Sequence, residues 1–218
     1  MTSEFERHIP CEECGSSDAN SLYTDGHTYC FACLSWKGPD GKNHNQQSTP
    51  NAKSMELRGL PRRLSRRGIS ERVCEEYGIT ADGDILCFHY KDSTGKIIGI
   101  KTKTLDKQFR YEGESDGRFF GQNLFRSKGK RMVICEGELD AATCREAFPT
   151  WEAVSLPYGA AAAKKSIQAN YEWLCNWEEV VLFFDGDQPG RKATQEAAGV
   201  LPPGKVKIAD LKGYKDPS

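Results

Sequence analysis

The 218-residue chain has no apolar run long enough to cross a bilayer and no basic-then-apolar leader, which points to a reducing, cytoplasmic setting with no membrane engagement. It also lacks an excess of either charge: 30 Lys and Arg face 31 Asp and Glu, for a formal net charge of -1. That balance excludes a molecule attracted to nucleic acid by its overall charge and confines any such contact to local basic clusters. Hydrophobic residues are modest at 38%, enough for one mid-sized core plus a small module. No internal repeat is visible.

What is present begins with cysteine. CEECGSSDANSLYTDGHTYCFAC holds two CxxC pairs, Cys11 with Cys14 and Cys30 with Cys33, separated by fifteen residues. Two such knuckles can fold back to present four thiolates tetrahedrally, which suits one structural zinc ion. Paired disulfides or a redox CxxC are the competing readings, disfavoured because no leader precedes the pairs and no βαβ context surrounds them. The other five cysteines (Cys74, Cys87, Cys135, Cys144 and Cys175) read as small buried apolar residues.

Residues 37–56 hold few apolar side chains and read as a flexible linker, with an r.m.s. span of about 25 Å if it behaves as a random coil. Beyond it, LSRRGISERVCEEYGI reads as a short helix ending at Gly78, and DILCFHYKDSTGKIIGIKTKTL as two strands around the turn DSTG. Two basic clusters stand out: RGLPRRLSRRG, and KTKTLDKQFR with Lys101, Lys103, Lys107 and Arg110. From Arg131 onward, short apolar strands (RMVIC, AVSL, EVVLFF, KVKIADL) alternate with helical segments, ELDAATCREAF and AAAKKSIQANYEWLC among them. This alternation indicates an α/β fold with a parallel sheet covered by helices on both faces, whose ligands gather at the carboxyl ends of the strands.

Those ends are acidic. Glu136 follows MVIC, Asp185 and Asp187 follow VVLFF, and Asp216 comes shortly after KVKIADL. Carboxylates converging from neighbouring strand ends repel unless cations are present, so the pattern implies Mg2+ or Mn2+, in a pair if the site handles phosphate transfer. Some of these acids also have a local alternative: Glu136 or Glu138 could favour the first turn of a helix, and Asp187 could cap the helix beginning near Pro189.

EGELD after one strand, SLPYGA after the next and VVLFFDGDQPGRKA after the third resemble the Toprim fold of bacterial-type primases, type IA and II topoisomerases and some nucleases. With the cysteine module and RRGISERVCEEYGI placed ahead of them, the order is similar to the primase half of the bifunctional primase-helicases of short-tailed bacteriophages. The resemblance implies a zinc ribbon over 1–36 that recognises template, a linker over 37–56, an N-terminal subdomain of an RNA polymerase domain over 57–130 and a Toprim catalytic subdomain over 131–218. It further implies a nucleotidyltransferase that makes short RNA primers from ribonucleoside triphosphates on single-stranded DNA. Glu136, Asp185 and Asp187 would be catalytic, Asp140 and Asp216 would join them as magnesium ligands, and Lys101, Lys103, Lys107 and Arg110 would hold nucleotide or template. Asp25 and His27 would read template from the ribbon.

A DNA polymerase and a replicative helicase are the implied partners. No Walker A loop, GxxxxGK[ST], occurs in the chain, so any helicase would lie in a longer chain or act in trans. A zinc-plus-Toprim recombination mediator and a Toprim nuclease are the rival readings. Template-dependent RNA synthesis, a gel shift alone and shortened DNA distinguish the three.

The ribbon reading carries a direct test. Metal binding is folding free energy for so small a module, so Cys30→Ser should drop zinc content well below one per chain while the remainder of the protein stays folded. Elemental analysis reads the zinc, and an unchanged content would contradict tetrathiolate binding.

Overall fold

A computed structural model of the chain describes residues 3–12, 17, 20–30, 36–41, 55–114, 116–125 and 128–210. Cys14, Cys33, Asp216 and most of the expected linker lie outside the described residues. The chain divides into two units, Met1–Ala52 and Lys53–Ser218.

In the first unit, β1 (Phe5–Ile9), β2 (Asn20–Tyr23), β3 (Thr28–Cys30) and β4 (Trp36–Lys37) form an antiparallel sheet in sequence order. Asn20 pairs with Ile9 on one side and with Cys30 on the other. Buried Cys30 and buried Cys11, two residues past Ile9, are therefore at the same end of the sheet. The β2–β3 turn is fixed by Asp25, whose Oδ1 accepts from the His27 backbone N–H at 3.1 Å.

The second unit opens with a short 3-10 turn over Ser65–Arg67, ended by Gly68 at φ 65°, and then α1 (Glu71–Tyr77). The single helix read from LSRRGISERVCEEYGI is thus confined to its second half, because Gly68 takes the left-handed backbone and Ser70 starts a new helix by accepting from the Val73 N–H. Gly78, at φ 71°, ends α1 at the expected residue. Next comes an antiparallel meander of β5 (Ile79–Asp82), β6 (Ile85–Lys91), β7 (Ile97–Lys103) and β8 (Phe109–Gly113).

The last part alternates β9 (Gly129–Cys135), α2 (Glu138–Ala147), β10 (Glu152–Ser155), α3 (Ala163–Ala169), α4 (Tyr171–Cys175), β11 (Trp177–Phe183), α5 (Gln188–Ala198) and β12 (Val206–Ile208). Its sheet is parallel, in the order β10-β9-β11-β12. The helix expected over AAAKKSIQANYEWLC divides at Asn170, whose side chain donates to the carbonyls of Gly117 and Ser166.

Strand period explains why this sheet is covered twice. Val133 and Cys135 of β9 and Val181 of β11 enter one core with α1, α2 and the meander residues Phe88 and Tyr90. Met132, Ile134, Val180 and Leu182 enter the opposite core with α3, α4 and α5. The antiparallel sheet is therefore packed against the same face of the parallel sheet as α2, and Tyr77 ties α1 to β10 there by donating its hydroxyl to the Ala153 carbonyl at 2.7 Å.

His89 anchors the start of this unit. It is buried, its Nε2 accepts from the Arg58 N–H at 3.0 Å, and its Nδ1 lies 2.7 Å from the Gly78 carbonyl, an arrangement that only the neutral ring with a proton on Nδ1 satisfies. Burial, opposed by the Gly78 hydrogen bond and reinforced by the charge of Lys91, holds its pKa below the ordinary histidine value. The unfolded chain therefore takes up this proton at higher pH than the folded one. The stability contributed by neutral His89 is complete above about pH 6.5 and is lost as pH falls from there through the depressed folded value. Thermal melts between pH 7.5 and 5 should decline more steeply for the native chain than for His89→Gln, whereas parallel curves would contradict this assignment.

Candidate nucleic-acid-synthesis site

The chain runs from β9 to β10 on one side of the sheet and then crosses to β11 on the other side of β9. The α2 crossover lies on one face and α5 on the opposite face, so a crevice opens beyond the carboxyl ends of β9 and β11, where doubly wound sheets bind ligands. Cys135 and Phe183 are paired in register, and the next residues along the two strands are Glu136 and, after Phe184, Asp185. The Asp185 backbone N–H points at Glu136 Oε2 across 3.4 Å. Burial raises the pKa of the half-buried Glu136 carboxyl; the Asp185 N–H opposes this, and the charges of Asp187 and Asp140 add to it.

A cavity of about 660 Å³ stands over this pair, lined by Glu136, Asp185 and Asp140, by Lys101 of β7, by Phe109, Arg110 and Tyr111 of β8, and by Tyr158 after β10. An adjoining recess of about 170 Å³ adds Arg67 and Lys103. The two lysines of β7 share a strand face, as their alternate spacing requires, and lie 5.2 Å and 5.4 Å from the centre of the Phe109 ring. Lys103 sits beside Arg67; burial, and then that neighbouring charge, lower its pKa. Lys101 donates to Glu138 Oε1 at 2.7 Å.

Of the other sequence-derived residues, Asp140 accepts from the Gly137 N–H at 3.1 Å and so also braces the start of α2. Asp187 caps α5, accepting from the Gly190 N–H at 2.9 Å, and is not among the residues lining the cavity. Lys107, at φ 63°, is exposed in the β7–β8 turn. Asp25 and His27 are in the other unit, paired at 2.6 Å, with the His27 ring stacked on Tyr23 at 4.2 Å.

Sequence reasoning passed over Glu138 except as a first-turn residue, and did not single out Tyr90, Phe109, Tyr111, Tyr158 or Arg67 for this cavity. The motifs EGELD and SLPYGA contain Glu138 and Tyr158. Arg67 and Phe109 fall within the two basic clusters, whereas nothing local marks Tyr90 and Tyr111, which arrive from the second sheet.

The donor set fits a hard divalent cation. Glu136 and Asp185 supply carboxylate oxygens from facing strand ends; burial chiefly raises the Glu136 pKa, and the charges of Asp187 and Asp140, which a cation would offset, add to it. Among the described residues no cluster of three or more His, Cys, Asp or Glu side chains is close enough to hold a metal by itself. A two-carboxylate site completed by water or substrate oxygens is the arrangement magnesium favours.

Residues 133–218 match the family described as Toprim-like. The crystal structure of the primase fragment of the bacteriophage T7 primase-helicase is 38% identical, covers 98% of this chain and 93% of its own, and has a TM-score of 0.69. The chain belongs to this phage primase family. It is also 40% identical to the DNA helicase/primase of Enterobacteria phage T3 over 96% of its length, and spans 40% of that relative. A further T7 structure, described as lagging-strand DNA polymerase interacting with primase domains of two gp4 subunits bound to an RNA/DNA hybrid and dTTP, is 39% identical, with 74% of this chain and 82% of that chain covered at a TM-score of 0.64. No helix among the described residues is long and apolar enough to cross a membrane.

Gly190 shows how closely α5 is docked in this phage primase family member. A Cβ on Gly190 would lie 2.2 Å from the Asp185 carbonyl oxygen. Helix propensity alone would make Gly190→Ala stabilising by up to about 1 kcal/mol. The clash predicts the opposite, a loss of about 1–3 kcal/mol in urea denaturation as Asp185 or α5 is pushed aside. A neutral or stabilising result would contradict the close docking.

Proposed function

We propose that this chain synthesises short RNA primers from ribonucleoside triphosphates on single-stranded DNA, as a primase of phage-type replication. The observation that supports this most is the convergence of Glu136 and Asp185 at the strand switch point, beneath a cavity walled by Lys101, Arg110 and aromatic rings.

The reaction joins the 3′-hydroxyl oxygen of one nucleotide to the α-phosphorus of the next and releases pyrophosphate. Mg2+ or Mn2+ held by Glu136 and Asp185, with Asp140, Asp187 and Asp216 as further acids, would neutralise triphosphate charge and make the attacking hydroxyl more acidic. Lys101 and Arg110 attract the triphosphate and orient it along the cavity wall. Lys103, with Arg67, extends the basic wall into the recess, and exposed Lys107, whose charge reaches Lys103, presents a further cation for template. Phe109 and Tyr158, each 52% exposed, offer ring faces on which a base can stack. Glu136 would serve as a ligand of the ion or as the general base that accepts the hydroxyl proton on a carboxylate oxygen.

In the ribbon, Cys11, Cys14, Cys30 and Cys33 would hold zinc, and the Asp25–His27 pair on its turn would meet template. A replicative helicase, in the same chain or in trans, and a DNA polymerase are the expected partners in the host cytoplasm.

Single-stranded DNA, labelled ribonucleotides and Mg2+ should yield short RNA with this protein. Glu136→Gln and Asp185→Asn should each lower the rate by about 100-fold or more while the thermal midpoint holds. Synthesis near the native rate in both variants would overturn the assignment of the acids, and DNA cleavage without RNA would overturn the reaction.

A further inference from the structure

Glu138 stands two residues from Glu136 at the start of α2, is 5% exposed, and also lines the cavity. Its Oε1 is doubly engaged. The Tyr90 hydroxyl donates to it at 2.7 Å and the Lys101 ammonium at 2.7 Å. For that oxygen to coordinate a divalent ion, the ion would have to sit against the ammonium or replace it, and two cations on one oxygen repel. No cationic side chain burdens Glu136 in this way: it faces the backbone N–H groups of Asp185, at 3.4 Å from Oε2, and of Ala160.

The same contacts restrict Lys101. A lysine stem is flexible, and a loose one must be ordered when it grips a phosphate. Here the stem is already fixed: its side chain is 18% exposed, Glu138 holds the ammonium, and the Phe109 ring flanks it at 5.2 Å. An ammonium has three donors, so one hydrogen bond to Glu138 leaves two for a ligand in the cavity. Tyr90 fixes Glu138 in turn. It is buried against Tyr111 and Phe120, with ring centroids at 5.6 Å and 5.3 Å. Burial, and then the Glu138 charge, hold its pKa well above the ordinary tyrosine value, so its hydroxyl remains a donor throughout the neutral range. The three residues lie far apart in sequence, on β6, β7 and α2, and the chain spans both sheets to bring them together.

We infer that Glu138 is a positioning residue: held by Tyr90, it sets the Lys101 ammonium in the cavity wall for the triphosphate of an incoming nucleotide, and it is not a ligand of the divalent ion. This rests on the proposed primase reading and adds a division of labour between the two glutamates of EGELD. Glu136 serves the reacting atoms; Glu138 serves the substrate's charged tail through Lys101.

Calorimetric titration of the full chain with ATP at saturating Mg2+ tests this without requiring synthesis. Glu138→Gln should weaken ATP binding about tenfold, and Tyr90→Phe, which keeps the ring, about threefold, because each loosens Lys101 without removing it. In primer synthesis the same variants should raise the nucleotide KM by similar factors, change kcat less than about threefold, and leave the Mg2+ concentration for half-maximal rate unchanged. Lys101→Met should weaken binding at least as much as Glu138→Gln, and the double variant no more than Lys101→Met alone.

A shifted Mg2+ requirement with unchanged nucleotide affinity would make Glu138 a metal ligand and overturn the inference. So would equal effects of Glu138→Gln with and without Lys101, or unaltered ATP binding in both Glu138→Gln and Tyr90→Phe. A native chain that binds ATP with these variant effects but makes no RNA would refute the primase reading and leave the role of Glu138 standing.

Discussion

Two carboxylates are held together in this fold by strands that cannot move apart. The β9–β11 ladder runs parallel through a sheet buried on both faces, with Met132, Val133, Ile134 and Cys135 of β9 wholly enclosed. Sliding either strand by one residue would exchange its two buried faces and mispack both cores at once. Glu136 and Asp185 therefore stay at adjacent strand ends despite like charge, and burial there, with the charges of Asp187 and Asp140 added, raises the Glu136 pKa. A site strained in this sense gains from whatever brings positive charge to it.

The second sheet supplies that charge from the opposite wall. β7 and β8 contribute Lys101 and Arg110 to the cavity, and their position follows from one core shared by Phe88, Tyr90, Tyr77 and Phe120 with Val133, Cys135 and Ala153. Acids come from one sheet and cations from the other, so neither half forms the site alone. The Tyr90–Glu138–Lys101 contact lies at the junction where the two meet.

Much of the architecture is legible from local signals, since these act over a few residues. Gly78 ends α1 because the left-handed backbone there suits glycine, the DSTG turn separates β6 from β7, and the apolar strands after Arg131 announce a two-sided sheet. The strand-end acids are legible for the same reason. The break at Asn170 is not, because it depends on a hydrogen bond to Gly117 far along the chain. Nor is the role of Glu138, whose partners lie 48 and 37 residues away and whose position in EGELD also suits a simple first-turn acid. Asp187 combines a readable motif with a local duty: its carboxylate caps α5, while its charge still reaches Glu136.

The central claim is that the β9–β11 crevice is where a divalent ion and the reacting phosphate meet. Anomalous diffraction from crystals soaked in Mn2+ with a non-hydrolysable ribonucleoside triphosphate tests it most directly. The account predicts a manganese peak within bonding distance of Glu136 and Asp185 oxygens, with no Glu138 oxygen in its coordination shell. Manganese bound elsewhere, with the crevice empty at saturating concentration, would contradict it.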